Sequence, residues 1–170
     1  PRKTPGTISS ASPGWILTAA REPGAALTAA ASTLATWATS SAAFSAVDSA
    51  AVSAEEIGNP VHPGTQRELA RHGLPRSGHR AWQLGKADYD RYDLFIGMDR
   101  ENLRRMERIF GGDPLHKIAL LMAYTGEPCE IEDPWYTDRY DVVYDAVDAG
   151  CEALLNELEQ ERRIKGKHHG

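Results

Sequence analysis

Residues 92–98 read Tyr-Asp-Leu-Phe-Ile-Gly-Met, a short apolar run with charged residues on both sides. Such a run is typical of a strand that is buried on both faces of a parallel sheet. Asp99 follows directly and can cap a helix, which the glycine pair at 111–112 would end. Apolar residues recur in between at helical spacing: Leu103, Met106 and Phe110. The stretch therefore predicts a buried strand followed by a helix.

Further strands and helices are predicted on both sides of this stretch. Residues 117–122 form a second apolar run and are predicted to be another buried strand. Residues 68–71 are predicted to belong to a short helix that follows the turn residues Pro63 and Gly64. Residues 138–159 are predicted to form a long helix. Its apolar face comprises Tyr140, Val143, Tyr144, Val147, Cys151, Leu154 and Leu158. Strands that alternate with helices predict an α/β domain with a parallel sheet, whose active site lies beyond the carboxyl ends of the strands.

The beginning of the chain differs in composition from the rest. Of the first 47 residues, 27 are Ala, Ser or Thr, and Glu22 is the only acidic residue. This composition is typical of a low-complexity segment, and it offers no apolar β-branched run for a strand. We therefore divide the chain into an aberrant segment over residues 1–45, predicted to be disordered or translated out of frame, an α/β domain over 46–160 and a basic tail over 161–170.

Charge and cysteine content exclude several classes of function. A net charge of −5 argues against a nucleic-acid-binding surface, which needs clustered Lys and Arg. Two cysteines, Cys129 and Cys151, are too few for a disulfide framework, so a reducing compartment is expected. There is no recognisable secretory signal, and the uncharged residues 23–47 contain too much Ala, Ser and Thr to favour a membrane. We predict a cytoplasmic protein without membrane contact, metal or other cofactor.

The stretch Glu132-Asp133-Pro134-Trp135-Tyr136 is the strongest candidate for chemistry. An aspartate in a loop, restricted by a proline and flanked by aromatic rings, suits general acid catalysis, because the rings exclude water and raise the carboxyl pKa. The same residues also fit an Asp-Pro turn whose two aromatics pack on the core. Taken alone, the stretch leaves both interpretations open.

A series of short motifs connects this stretch to a known family. They are Asp48-Ser-Ala-Ala51, Gly58-Asn-Pro60, His72-Gly73, His79-Arg-Ala81, Gln83-Leu84, Tyr92-Asp93, Met98-Asp99, Asn102-Leu-Arg104 and Asp133-Pro-Trp-Tyr136. In this order and at these separations, the chain resembles the low-molecular-weight protein tyrosine phosphatases. The resemblance covers about two-thirds of the chain. It implies a small doubly wound domain with a four-stranded parallel sheet and helices on both faces.

The resemblance also implies a mechanism and a set of site residues. In this family a C-x5-R loop after the first strand holds the phosphate, its cysteine thiolate attacks phosphorus, and an aspartate protonates the departing phenolate. That aspartate would be Asp133. Supporting roles would fall to Ser49, His72, His79 and Asp99, and Asp99 would help to hold one of the two histidines. Substrate-binding roles would fall to Trp135, Tyr136 and Glu55. The implied substrate is a phosphotyrosine-containing protein or a small aryl phosphate.

The family's nucleophile is missing from this sequence. The sixth residue after Cys129 is Trp135 and the sixth after Cys151 is Glu157, so neither cysteine begins a C-x5-R motif. Either the segment before Asp48 is a shifted reading frame, or the chain is a relative that lost its catalytic loop. We predict little or no turnover. The alternative functions are a non-catalytic binding module and a relative of the cysteine-based arsenate reductases.

Overall fold

The computed structural model describes residues 14–20, 44–51, 63–73, 83–131 and 137–167. Its strands are β1 (Gly14–Ala20), β2 (Phe44–Ala51), β3 (Leu94–Gly97) and β4 (Ile118–Leu120). Its α-helices are α1 (Pro63–Arg71), α2 (Arg100–Phe110) and α3 (Tyr140–Lys167). Two short 3-10 helices, Lys86–Asp90 and Leu121–Thr125, complete the described elements.

The four strands form one parallel sheet in the order β2-β1-β3-β4. β1 is paired on both edges, with β2 over its whole length and with β3 from Ile16 to Ala19. β4 pairs with β3 from Ile118 to Leu120. The predicted four-stranded parallel sheet is therefore confirmed.

β1 corrects the expectation that the first 45 residues offer no strand. Its sequence is Gly-Trp-Ile-Leu-Thr-Ala-Ala, in which three large apolar residues stand together. The Ala and Thr that follow are tolerated because a strand ladder is made by backbone groups. The low-complexity composition of the whole segment concealed this short run. The domain boundary at residue 45 stays a prediction, although β1 lies between β2 and β3 in the sheet.

β3 separates two hydrophobic cores. Leu94, Ile96 and Met98 belong to one core and Phe95 to the other, as the alternation of side chains along a strand requires. The first core is completed by residues of α1 and α3, including Leu69, Val147, Cys151 and Leu154. The second is completed by residues of α2, Met106 and Phe110, with Tyr89 and Tyr92. Helices therefore cover both faces of the sheet, as predicted.

The observed ends of α2 agree with the predicted ends, whereas α3 extends further than predicted. The Asp99 side chain caps α2, and Gly111 ends it in the left-handed conformation, with φ 78°. α3 continues to Lys167, beyond the predicted end at residue 159, so most of the segment predicted to be a basic tail is helical. Within the ranges described, no helix combines the length and apolar character that crossing a bilayer requires.

Asp113 joins the start of β4 to the 3-10 helix that contains Tyr89. Its carboxylate accepts hydrogen bonds from the Tyr89 hydroxyl at 2.6 Å and from the backbone N–H groups of Lys117 and Ile118 at 2.8 and 3.1 Å. The Lys117 ammonium donates to the Tyr89 carbonyl at 2.7 Å. These bonds fix the start of the edge strand β4 against the 3-10 helix that contains Tyr89.

α1 lies against α3 through a contact between Gly64 and Tyr140. A Cβ atom at residue 64 would overlap the ring of Tyr140, which is itself buried. The absence of a side chain at Gly64 therefore sets how closely the two helices approach.

Gly64→Ala is expected to lower the free energy of unfolding by about 2 kcal/mol, because the added methyl group displaces the Tyr140 ring from a packed core. Urea denaturation measures this loss. In a Tyr140→Leu background the same substitution should cost less, since the ring that it displaces is gone. Equal costs in the two backgrounds would contradict this account of the contact.

Tyr89→Phe is expected to lower the free energy of unfolding by about 1–2 kcal/mol at neutral pH, because the hydroxyl bonds to Asp113 and accepts from the Leu115 amide. Burial, followed by the hydrogen bond to Asp113, raises the pKa of Tyr89 to about 12. Tyrosine in the unfolded chain titrates near 10. The folded pKa is the higher one, so this stabilisation is complete below about pH 10 and is lost as the pH rises towards about 12.

Denaturation curves recorded from neutral to alkaline pH test this expectation. The difference in stability between wild type and Tyr89→Phe should shrink once the unfolded tyrosine ionises. Tyr124→Phe is the control at neutral pH, because the Tyr124 hydroxyl is buried without a hydrogen-bond partner in the described part of the chain. An equal loss for both variants at neutral pH would mean that the bond to Asp113 contributes nothing.

Candidate functional site

The carboxyl ends of the parallel strands meet at one edge of the sheet, where α/β domains place their ligands. β1 ends there at Ala20, and its residue Ala19 is paired with Gly97, the last residue of β3. Met98 and Asp99 follow β3 and lead directly into α2. The candidate site is therefore built around the ends of β1 and β3.

Met98 and Asp99 form a turn, called here the β3–α2 turn, that is held from inside by Asn102. The Asn102 side chain is almost fully buried, and its oxygen accepts from the backbone N–H groups of Met98 and Asp99 at 3.0 and 3.3 Å. The Asp99 carboxylate in return accepts from the Asn102 N–H at 2.6 Å. This reciprocal pair is a capping box. These three bonds of Asn102 were not predicted from the sequence, although its position three residues after the cap was a usable signal.

Asp99 was also predicted to support a histidine. Its described side-chain bond is the one to the Asn102 amide, which is the role of a helix cap. Support of a histidine by Asp99 stays a prediction.

Two hydrogen bonds attach residues 130–131 to the β3–α2 turn. The Ile131 N–H donates to the Met98 carbonyl at 3.0 Å, and the Ile131 side chain is buried in the first core. The Arg100 N–H, at the start of α2, donates to the Glu130 carboxylate at 2.7 Å. Glu130 and Ile131 were not predicted from the sequence to have a role at the site. Residues 132–136, here called the acid loop, follow them, and the predicted site residues Asp133, Trp135 and Tyr136 lie outside the described residues.

His72 lies just beyond the end of α1 and contacts α3. Its Nε2 atom donates to the Glu68 carboxylate at 3.1 Å, and its ring stacks on Tyr144 with the centroids 3.7 Å apart. Arg71 bonds to the same carboxylate at 3.2 Å, and Glu68 is buried. The described contacts therefore hold His72 to the interface between α1 and α3. Its supporting role at the site stays a prediction.

Three more predicted site residues are only partly described or not described. Ser49 lies in β2, where its backbone is paired with Thr18 of β1. His79 and Glu55 lie outside the described residues. Among the residues that are described, no three His, Cys, Asp or Glu side chains are grouped so that they could hold a metal ion.

The two cysteines occupy different environments. Cys151 lies on the buried face of α3 in the first core, and burial raises the pKa of its thiol far above the usual value. A thiol in this state remains protonated and is a poor nucleophile. Cys129 is exposed, on the segment that leads to the acid loop.

Comparison with known proteins gives the context of this site. A sequence model of the family described as "Low molecular weight phosphotyrosine protein phosphatase" matches residues 29–164. The low molecular weight protein-tyrosine-phosphatase YfkJ of Bacillus subtilis is 34% identical over 119 residues, which are 69% of this chain and 76% of that protein.

Solved structures share the architecture described above. The crystal structure of YfkJ from Bacillus subtilis matches with a TM-score of 0.76 at 29% identity and covers 90% of this chain and 99% of that chain. The low molecular weight protein tyrosine phosphatase SP-PTP from Streptococcus pyogenes matches with a TM-score of 0.76 at 25% identity, over 85% and 93% of the two chains. The sequence match to the family begins at residue 29, after β1, which the structure nevertheless contains. The chain belongs to the low-molecular-weight phosphotyrosine protein phosphatase family.

Proposed function

We propose that this chain carries the general-acid half of a phosphotyrosine phosphatase site without the nucleophilic half, and that it therefore turns over aryl phosphates little or not at all. Asp133 is the general acid. Ser49, His72, His79 and Asp99 support the site, and Trp135, Tyr136 and Glu55 contact the substrate. The ligand is a phosphotyrosine-containing protein or a small aryl phosphate, met in the cytoplasm.

The observation that carries the proposal is the absence of a cysteine at the end of β1. The printed sequence has two cysteines, and neither is followed by Arg at the sixth position. Cys151 belongs to α3 and is buried in the first core. Cys129 belongs to the segment before the acid loop rather than to the chain that leaves β1. A phosphatase of this family without its thiolate cannot form the bond between sulfur and phosphorus.

The placement of Asp133 is supported by its nearest described neighbour. Ile131 is bonded to Met98 at the carboxyl end of β3, beside the end of β1. Asp133 follows Ile131 by two positions in the sequence, and this supports the proposal that it acts at that edge. An aspartate there is suited to protonate the oxygen of a departing phenolate, and Trp135 and Tyr136 are suited to pack on the phenyl ring.

The substrate class is supported by the relatives. YfkJ, of which 76% is matched at 34% identity, is named a protein-tyrosine-phosphatase. An acid without the cysteine thiolate has no group in this family's mechanism that can form the covalent bond to phosphorus. Binding of an aryl phosphate can therefore survive where its hydrolysis does not.

The purified chain is expected to hydrolyse p-nitrophenyl phosphate no faster than buffer, because neither of its cysteines begins a C-x5-R motif. Release of nitrophenolate measures this, with Asp133→Asn and Cys129→Ser as matched variants. Vanadate-sensitive turnover that Asp133→Asn reduces would contradict the proposal, and its loss in Cys129→Ser would name the nucleophile. Absence of turnover combined with calorimetric binding of a phosphotyrosine peptide would favour the binding module.

The coding DNA upstream of Asp48 is expected to contain a C-x5-R motif in another reading frame. The reason is that the Ala, Ser and Thr content of residues 1–47 is what a shifted frame of a GC-rich gene yields, while the motifs from Asp48 onward are intact. Translation of all three frames checks this. Three frames without the motif would instead indicate that the catalytic loop was lost.

A further inference from the structure

One face of α2 presents a row of arginines to solvent. Arg100, Arg104 and Arg108 are exposed and recur every four residues, which places them on one side of the helix. The residues two positions after each of them are buried instead: Asn102, Met106 and Phe110. Neighbouring arginines of the row are about 6 Å apart along the helix axis, and the whole row is about 12 Å long.

Lys86 extends this row beyond the end of α2. Its ammonium nitrogen lies 3.9 Å from the position that a Cβ atom of Gly111 would occupy, and Gly111 is the residue that ends the helix. Lys86 is exposed, as the arginines are. These four residues are called here the basic stripe: Lys86, Arg100, Arg104 and Arg108. A continuous basic surface stands out on a chain whose net charge is −5.

The acidic residues of α2 neutralise this charge only in part. The Glu101 carboxylate is paired with both Arg104 and Arg105, at 2.8 and 3.0 Å. One negative charge therefore serves two guanidinium groups and holds both in place, while a surplus of positive charge remains. Glu107 is the other glutamate of the helix and is exposed.

The remaining members of the stripe have no ionic partner. In the ranges that the structure describes, Arg100, Arg108 and Lys86 take part in none of the ion pairs. The Glu130 carboxylate lies near Arg100, but it accepts from the backbone N–H rather than from the guanidinium group. These three cationic groups are therefore available to an external ligand.

The stability of α2 does not account for the position of Arg100. The amino end of a helix carries a partial positive charge, which disfavours a cation in the first turn and favours one in the last turn. Arg108 lies in the last turn, but Arg100 is the first residue of the helix. The stripe thus continues, against the preference of the helix, as far as the β3–α2 turn at the candidate site.

The spacing of the stripe suits an extended acidic chain. In an extended segment the side chains on one side recur at every second residue, about 7 Å apart, close to the spacing of the arginines. Guanidinium groups bind carboxylates through paired N–H donors. A nucleic acid is the less suitable ligand, because the net charge of −5 repels a continuous row of phosphates.

We infer that the basic stripe is a docking surface for an extended acidic segment of a partner protein, with a carboxylate at every second residue. The inference goes beyond the proposed function and does not depend on it, because it uses only the surface of α2 and Lys86. A segment bound there lies beside the candidate site, since Arg100 follows the β3–α2 turn directly.

The test measures binding of a fluorescently labelled peptide to the full chain by anisotropy. The peptide has glutamate at three alternate positions with serine between them, and a peptide with glutamine in place of glutamate is its control. Arg100→Gln with Arg108→Gln is the test variant. Arg163→Gln with Lys167→Gln is the matched control, because both residues are exposed on α3 and the net charge falls by the same amount.

The glutamate peptide should bind the wild-type chain, and more weakly at about 0.15 M than at about 0.01 M salt. The test variant should weaken binding about three- to tenfold, the effect of losing two exposed charge pairs. The control variant should bind as the wild type does. Both variants should unfold at the wild-type urea concentration, because none of the four side chains is buried.

Three results would overturn the inference. One is that the glutamate peptide binds no better than the glutamine peptide. Another is that the control variant weakens binding as much as the test variant, which would show a general effect of net charge. The last is that a short single-stranded oligonucleotide binds more tightly than the peptide through the same arginines, which would assign the stripe to a nucleic acid. No readout requires turnover, so the outcome is separate from that of the phosphatase assay.

Discussion

The burial of β3 on both faces is the constraint on which the rest of the structure depends. The strand is paired with β1 on one edge and β4 on the other, so its backbone groups are satisfied along its length. Its side chains alternate between two cores. A register slip of one residue would place Phe95 in the core of Leu94 and Ile96, and the reverse. The end of this strand is therefore well determined, and both α2 and residues 130–131 are attached to it.

The elements that were predicted correctly are those whose signals are local. The apolar run at residues 92–98, the cap at Asp99 and the glycines that end α2 lie within a few residues of the structure they specify. β1 was missed because its three large apolar residues stand inside a segment dominated by Ala, Ser and Thr. α3 was predicted too short because its last turns, after residue 159, are mostly polar and carry no apolar periodicity from which a helix could be predicted.

Most of the candidate site could not be predicted because its contacts are long-range. The bond between Glu130 and the Arg100 N–H depends on the register of two segments that only the folded sheet brings together. The stacking of His72 on Tyr144 likewise depends on how closely α1 approaches α3, which Gly64 permits. Asp133 is different, because its motif is local and its family is shown. The sequence predicts Asp133 as the acid, and that role stays a prediction. The long-range contacts of residues 130–131 could not be predicted from the sequence.

Membership of the family and competence in catalysis have different physical requirements. A central strand needs only backbone pairing and moderate apolar content, and many different sequences meet these requirements. β1 meets them, although the match to the family model begins only at residue 29. Catalysis in this family needs a cysteine thiolate surrounded by backbone N–H groups. No other type of residue meets that requirement. The anchors of the acid loop serve folding as well, since Ile131 fills the core and its N–H satisfies the Met98 carbonyl. Such residues would be retained in a chain without turnover, so their presence supports the fold and carries no weight for activity.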